Sequence, residues 1–190
     1  MNGEIQTPPA VTAGPPLIIA EIAVPAGGNV MLLYAATAND YAPPCGEGQL
    51  TNTATLSGGA LAEAITASAA LSPNCEAELS ITKAVEPAQV ARNGELTYTF
   101  VITNLGTQAA EAADNIAVTD VFTPVLGGIA VTLNGTALDA AQYSYDTATG
   151  TFQTVPGVIT VPAATFEQDA DTGLWTGNPG AVTLTVTGTI

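Results

Sequence analysis

The stretch that decides the fold is Glu95-Leu96-Thr97-Tyr98-Thr99-Phe100-Val101-Ile102-Thr103-Asn104. Its side chains alternate, because large apolar residues occupy every second position and mostly threonine occupies the positions between them. A period of two residues predicts a β-strand with one buried face. Asn93-Gly94 before it and Leu105-Gly106 after it have the composition of turns, so the strand is bounded at both ends.

The rest of the chain has the composition of short strands separated by turns. Hydrophobic residues make up 47% of the 190 positions, which is enough for a buried core, and 19 Gly and 13 Pro interrupt the apolar runs. The nearest candidate for a helix, residues 60–71, directly follows Gly58-Gly59 and is better explained as the return strand of a hairpin. The sequence therefore predicts an all-β fold, an antiparallel β-sandwich.

Charge narrows the classes of partner. Seventeen acidic residues stand against two basic ones, Lys83 and Arg92, and the formal net charge is −15. Such a chain repels nucleic acid and anionic lipid, and no apolar run approaches the roughly 20 residues of a membrane span. The absence of His removes the commonest general base, and no Ser has an evident base beside it. We expect a protein that is not an enzyme, needs no cofactor, binds no nucleic acid and does not insert into membranes.

Internal similarity suggests two copies of one module. Residues 22–27 (IAVPAG) are echoed by residues 159–164 (ITVPAA), and residues 28–34 by residues 180–186. In this register residues 1–75 are a partial repeat, the back half plus a closing hairpin, and residues 76–190 are a repeat that lacks its closing hairpin. Incomplete sheets expose backbone groups that can pair with another chain, so we expect a homo-oligomer or a head-to-tail polymer.

The two cysteines flank the predicted hairpin. Strands over residues 49–56 and 61–71, joined at residues 57–59, bring Cys45 approximately opposite Cys75. A disulfide at this position would stabilise the folded chain by about 3 to 4 kcal/mol in the chain-entropy model, and it would require an oxidising compartment. Two free, buried thiols are the alternative.

A set of motifs in the second copy resembles a known bacterial repeat. The motifs are Leu79-Ser80-Ile81-Thr82-Lys83, Pro87, Gly94, Leu96-Thr97-Tyr98-Thr99-Phe100, Val101-Ile102-Thr103-Asn104, Gly106 and Val118-Thr119-Asp120, together with Leu50-Thr51-Asn52-Thr53-Ala54-Thr55-Leu56 of the first copy. They resemble the bacterial surface repeat catalogued as domain of unknown function number eleven. The resemblance implies an immunoglobulin-like sandwich in cell-wall, envelope or filament proteins, and therefore an extracellular place, on the bacterial surface or secreted.

Lys83 is the first candidate for chemistry. Strand alternation places it on the face that Leu79 and Ile81 predict to be buried, and a buried lysine needs a partner. Asp120 also falls on an inward face, which predicts an ion pair. A sharper hypothesis is an amide crosslink to Asn52, of the kind known in sandwich domains of Gram-positive surface proteins. Because Asn52 belongs to the first copy, such a bond would more naturally join neighbouring subunits.

A long hairpin loop is predicted over residues 166–178, where the second copy carries an insertion. Asp169 and Asp171 are spaced like the start of a calcium loop, although a polar turn explains the same residues. Trp175, the only tryptophan, could stack on a sugar or pack over a sheet edge.

The function that these patterns favour is that of a structural protein of the bacterial surface, which assembles into filaments by β-strand complementation between subunits. Two alternatives remain open. The first is an adhesin or carbohydrate-binding module that takes a glycan or a host surface ligand near Trp175. The second is a truncated fragment of a larger surface protein, since the composition looks secreted and yet no leader peptide is visible.

Overall fold

The computed structural model describes residues 11–12, 14, 16–59 and 61–190, and its regular structure is almost entirely β. A single 3-10 turn, Ala112–Asp114, is the exception in this part of the chain. The strands are β1 (Val11–Thr12), β2 (Ile18–Ile19), β3 (Leu50–Leu56), β4 (Ile65–Leu71), β5 (Leu79–Glu86), β6 (Glu95–Asn104), β7 (Thr119–Val121), β8 (Gly127–Leu133), β9 (Thr136–Ala137), β10 (Tyr143–Tyr145), β11 (Thr151–Thr154), β12 (Thr165–Gln168), β13 (Trp175–Asn178) and β14 (Gly180–Thr189). The predicted all-β class is confirmed. Among the described residues no helix is long and apolar enough to cross a membrane.

The chain forms two compact units, and the boundary between them lies between Ala38 and Asn39. In the first unit β1 pairs with β2 in an antiparallel ladder. Residues 28–34, which resemble residues 180–186 in sequence, form no strand, whereas residues 180–186 lie within β14. The predicted repeat boundary near residue 75 describes internal similarity rather than packing, and it stays a prediction.

The second unit contains an antiparallel β-sandwich. Its larger sheet has five strands in the order β5-β6-β14-β8-β9, and its smaller sheet has the order β10-β11-β7. Strand β6 is the stretch quoted at the outset, and it pairs with β14 along its whole length, from Asn104 opposite Gly180 to Glu95 opposite Thr189. The apolar side chains of both strands point between the sheets, so alternation correctly predicted which face of β6 is buried.

The core lies between the two sheets. Large side chains that are almost completely buried come from both layers and from the loops that join them: Phe122, Leu126, Phe152, Ile159, Val161, Leu184 and Val186. Phe122 stacks on Tyr98 of β6, with 4.8 Å between ring centroids, and also contacts Phe152 of β11, at 5.9 Å. This aromatic contact joins the small sheet to the large one.

Asn104, at the end of β6, is fully buried and uses both ends of its amide. Its Oδ1 accepts from the backbone N–H groups of Glu78 and Gly106, at 3.0 and 2.9 Å. Its Nδ2 donates to the backbone carbonyls of Gln108 and Pro162, at 2.7 and 3.1 Å. The sequence indicated only a turn here, whereas the side chain fixes the segment that enters β5 to two other loops.

Two hairpins extend the sandwich. Strands β12 and β13 pair with each other, which confirms the long hairpin predicted over residues 166–178. Strands β3 and β4 pair from Leu50 opposite Leu71 to Leu56 opposite Ile65. The predicted start of the second strand at Leu61 is wrong, because Leu61 donates its N–H to Gly58 within a wider turn and the ladder begins at Ile65.

Candidate functional site

The inner face of β5 is uncovered. Leu79, Ile81 and Val85 point to the same side of the sheet as the buried residues of β6, yet they are 39%, 53% and 44% exposed. The prediction that this face is buried is therefore wrong for the described chain. Apolar side chains left in water at core positions form an unfinished part of the sandwich.

The strand pairing explains this exposure. Strand β5 is one of the two edge strands of the large sheet, and β7 is one of the two edge strands of the small sheet. Within the described residues β5 pairs with β6 alone and β7 with β11 alone. No described strand pairs with the second edge of either one. We call the inner face of β5 and the unpaired edge of β7 the open border. An open border offers both unpaired backbone groups and apolar surface to an added strand.

Lys83 and Asp120 meet at this open border. Lys83 Nζ donates to Asp120 Oδ2 in an ion pair between β5 and β7, each an edge strand of its sheet. The ammonium also lies 4.6 Å from the ring centroid of Tyr98 and 5.5 Å from those of Phe100 and Phe122. The lysine side chain is 40% exposed and the aspartate 18%, so the pair is half open to water. Such a pair contributes about 1 kcal/mol or less to stability, but it removes net charge from the border.

Asn52 lies in a different sheet from Lys83. It is on β3, directly opposite Ala69 of β4, in the hairpin. The structure therefore brings Lys83 and Asp120 together and places the predicted third member elsewhere. The amide crosslink stays a prediction.

The disulfide between Cys45 and Cys75 lies at the base of the β3–β4 hairpin. The two Cα atoms are 5.3 Å apart, as the outward count from the turn predicted. The hairpin is exposed on both of its faces, since Leu50 is its only residue in these two strands that is even partly covered. The disulfide therefore ties down a hairpin that packing does not hold.

A second candidate region is a shallow depression beside β12 and β13. Phe166 and Trp175 line it together with the carboxylates of Asp40, Glu76 and Glu78. Trp175 is partly exposed, and its backbone N–H donates to the carbonyl of Asp40 at 2.8 Å. Aromatic and acidic residues that line one depression suit a sugar, which keeps the adhesin alternative open.

Asp169 uses its carboxylate in the turn of that hairpin. Its Oδ1 accepts from the backbone N–H groups of Thr172 and Asp171, at 2.8 and 2.9 Å. Hydrogen bonds from the backbone and side chain of Thr172, and then from the backbone of Asp171, lower the pKa of Asp169 below its usual 3.8. In the described part of the chain no three His, Cys, Asp or Glu side chains are close enough to hold a metal ion. The arrangement fits the polar-turn explanation of these residues.

Comparison with known proteins adds no relative: no family model, no curated protein and no solved structure matches this chain. The resemblance to the bacterial surface repeat stays a prediction, and the open border carries the functional argument.

Proposed function

We propose that this protein is a non-enzymatic structural building block of the bacterial cell surface, which self-assembles when a β segment of one subunit covers the open border of another. The observation that carries this proposal is the exposure of Leu79, Ile81 and Val85 on the inner face of β5. Full burial of an exposed large aliphatic side chain is worth about 1.5 to 3 kcal/mol, and because these three are roughly half exposed, covering each one stabilises the complex by about half of that. An added strand also satisfies the unpaired backbone groups of the border.

Charge supports selective rather than random association. A net charge of −15 makes copies of the chain repel each other over most of their surface. At the open border Lys83 neutralises Asp120, and the neighbouring side chains of the inner face are apolar. Contact through the border therefore meets less repulsion than contact elsewhere on the molecule.

The disulfide supports an extracellular place. Disulfides persist in oxidising compartments and are rare where thiols are kept reduced. Cys45 and Cys75 are both used in the bond, and no free cysteine is found in the described residues. The bond is compatible with a secreted or surface-exposed protein.

A pair of neighbouring substitutions on β5 tests the proposal. Ile81→Gln places a polar group on the inner face, while Thr82→Gln changes the adjacent residue on the outer face without changing charge. We expect wild type and Thr82→Gln to form concentration-dependent oligomers in sedimentation velocity and filaments in negative-stain electron microscopy. Ile81→Gln should associate about tenfold or more weakly, because it loses the burial of one large side chain.

Two results would contradict the proposal. Wild-type protein that sediments as a monomer at every concentration, with no filaments on the grid, has no self-assembly to explain. Oligomers that Ile81→Gln and Thr82→Gln form equally well do not use the inner face of β5.

A binding function at the depression is the second candidate, and it is favoured by the partly exposed Trp175, which lines the depression together with Asp40, Glu76 and Glu78. A glycan array and a calorimetric titration with the retained sugars would test it. We expect binding to be lost in Trp175→Ala and kept in Ile81→Gln. An array without any retained sugar contradicts this candidate.

The amide crosslink would make assembly permanent. In that step Lys83 Nζ forms an amide with the side-chain carbonyl of Asn52 from a neighbour and releases ammonia, while Asp120 moves protons. Intact mass of denatured oligomers tests the step, since each bond removes one ammonia. If the denatured oligomers dissociate into single chains of unchanged mass, the crosslink is contradicted, and the proposal of non-covalent assembly stands.

A further inference from the structure

The β3–β4 hairpin has one apolar face that nothing in the described chain covers. Cross-strand pairing puts Leu56 beside Ile65 and Leu50 beside Leu71, with the pairs Ala54–Ala67 and Asn52–Ala69 between them, so that Asn52 is the one polar side chain on this face. Ile65, Leu71 and Leu56 are nevertheless 56%, 65% and 51% exposed. The other face is mostly hydroxyl, and Thr53 bonds Ser68 across it at 2.8 Å. A two-stranded ribbon with one apolar face is marginal by itself and is stabilised by packing that face on another sheet.

The open border has matching dimensions. Strands β3 and β4 each have seven residues, about 23 Å at 3.3 Å per residue, and β5 has eight, about 26 Å. Large aliphatic side chains lie at both ends of the hairpin face, in the Leu50–Leu71 and Leu56–Ile65 pairs, and the shorter side chains between them leave room for side chains of a facing sheet. The hairpin is therefore long enough to cover the inner face of β5 from Leu79 to Val85, a span of seven residues.

Charge identifies a second copy of this chain as the partner. Strands β3 and β4 contain no charged side chain, in a protein whose net charge is −15. A hairpin without charge can approach the acidic surface of another copy without repulsion between unit charges. A strongly basic partner would be drawn to the acidic surface at large rather than to this uncharged ribbon.

The hairpin does not cover β5 of its own chain. Both faces of the hairpin and the inner face of β5 are exposed in the same molecule. The segment between them is fixed at its far end, because the carbonyls of Glu76 and Glu78 accept from the N–H groups of Gln108 and Leu105. Cys75, one residue before this anchor, is tied to Cys45. The hairpin base is thus held at the start of β5.

We propose that the donor segment in assembly is the β3–β4 hairpin, whose apolar face docks on the inner face of β5 and beside the unpaired edge of β7 in a second copy. This inference rests on the proposed function and names its partner. Donor and acceptor are different surfaces of one chain, so the contact is heterologous and repeats head to tail.

Matched double variants test the donor. Leu56→Gln with Ile65→Gln changes one cross-strand pair on the apolar face, and Thr55→Gln with Thr66→Gln changes the adjacent pair on the other face. Sedimentation velocity should show association about 100-fold weaker for the first pair, because two large side chains lose their burial, and unchanged association for the second. Circular dichroism of each variant verifies that the sandwich remains folded.

A mixing experiment adds a positive result. The Leu56/Ile65 variant keeps a working acceptor, and Ile81→Gln keeps a working donor. Each should be largely monomeric alone, and an equimolar mixture should form a one-to-one heterodimer that grows no further. If the mixture stays monomeric, or if the Leu56/Ile65 variant associates as wild type does, the hairpin is not the donor, although assembly through β5 stands. If wild type does not associate at all, the proposed function fails as well.

A last experiment tests whether the hairpin packs on its own molecule instead of on a second copy. Hydrogen exchange of wild type across a dilution series reports protection of β3 and β4. Protection that rises with concentration supports docking on a second copy. Protection that is full in the dilute monomer overturns the inference, because the hairpin would then pack on its own molecule.

Discussion

Strands β14 and β5 flank the same strand, β6, and yet their inner faces have opposite surroundings. Val182, Leu184 and Val186 of β14 are 2%, 0% and 0% exposed, whereas Ile81 at the middle of β5 is 53% exposed. Both strands are antiparallel to β6, and both alternate apolar and polar residues. The difference lies in what faces them, since the small sheet ends at β7. Alternation therefore specifies which side of a strand is apolar, but not whether anything covers it.

The largest expected effect compares the two strands directly. Leu184→Ala should lower the free energy of unfolding by about 4 kcal/mol, because a fully buried leucine leaves a cavity. Ile81→Ala should cost about 1 kcal/mol or less in the dilute monomer, since half of its side chain is already in water. Urea denaturation of both variants measures this. Equal losses would show that β5 is covered in solution.

The next effect separates the hairpin from the sandwich. Replacing both cysteines, with Cys45→Ser and Cys75→Ser, should lower the free energy of unfolding by about 3 kcal/mol in the chain-entropy model. Most of this loss should appear as more frequent local opening of β3 and β4. Hydrogen exchange by mass spectrometry should show less protection in β3 and β4 and nearly unchanged protection in β6 and β14. Uniform loss of protection over the sandwich would mean that the hairpin supports the core.

A smaller effect concerns the anchor of β5. Asn104→Ala removes four hydrogen bonds and leaves buried backbone groups unpaired, so we expect a loss of about 2 kcal/mol in urea denaturation. Gln108→Ala is the control, because it changes an exposed side chain and keeps the carbonyl that accepts from Asn104. Exchange in Asn104→Ala should rise more in β5 than in β14. A variant as stable as the control would show that the anchor is dispensable.

The smallest effect is the pH dependence of the β12–β13 hairpin, another exposed region. Hydrogen bonds hold the pKa of Asp169 below 3.8 in the folded chain. The ionised carboxylate therefore contributes fully to the stability of the fold above about pH 5, and this contribution is lost as pH falls through the lowered folded pKa. Carboxyl titration by NMR measures that pKa. Asp169→Asn should remove the pH dependence, and Asp171→Asn should keep it, because Asp171 contributes its backbone N–H. A normal pKa for Asp169 would contradict the turn geometry.

Local patterns predicted much of this molecule. The period of β6, the count from the turn to Cys45 and Cys75, and the inward positions of Lys83 and Asp120 all depend on residues near each other in sequence or on one strand face. The exposure of β5 could not be predicted in this way, because it depends on how far the opposite sheet extends. The role of Asn104 was missed for the same reason, since its partners include Pro162.

The disulfide also determines how a pulling force would travel along this chain. Tension applied on either side of the hairpin passes from Cys45 to Cys75 through the sulfur atoms, so the segment between them carries no load. When one chain is stretched, β3 and β4 would keep their ladder while the stress goes directly into β5. The hairpin proposed as the donor would thus keep its strand pairing when its own chain is pulled at both ends.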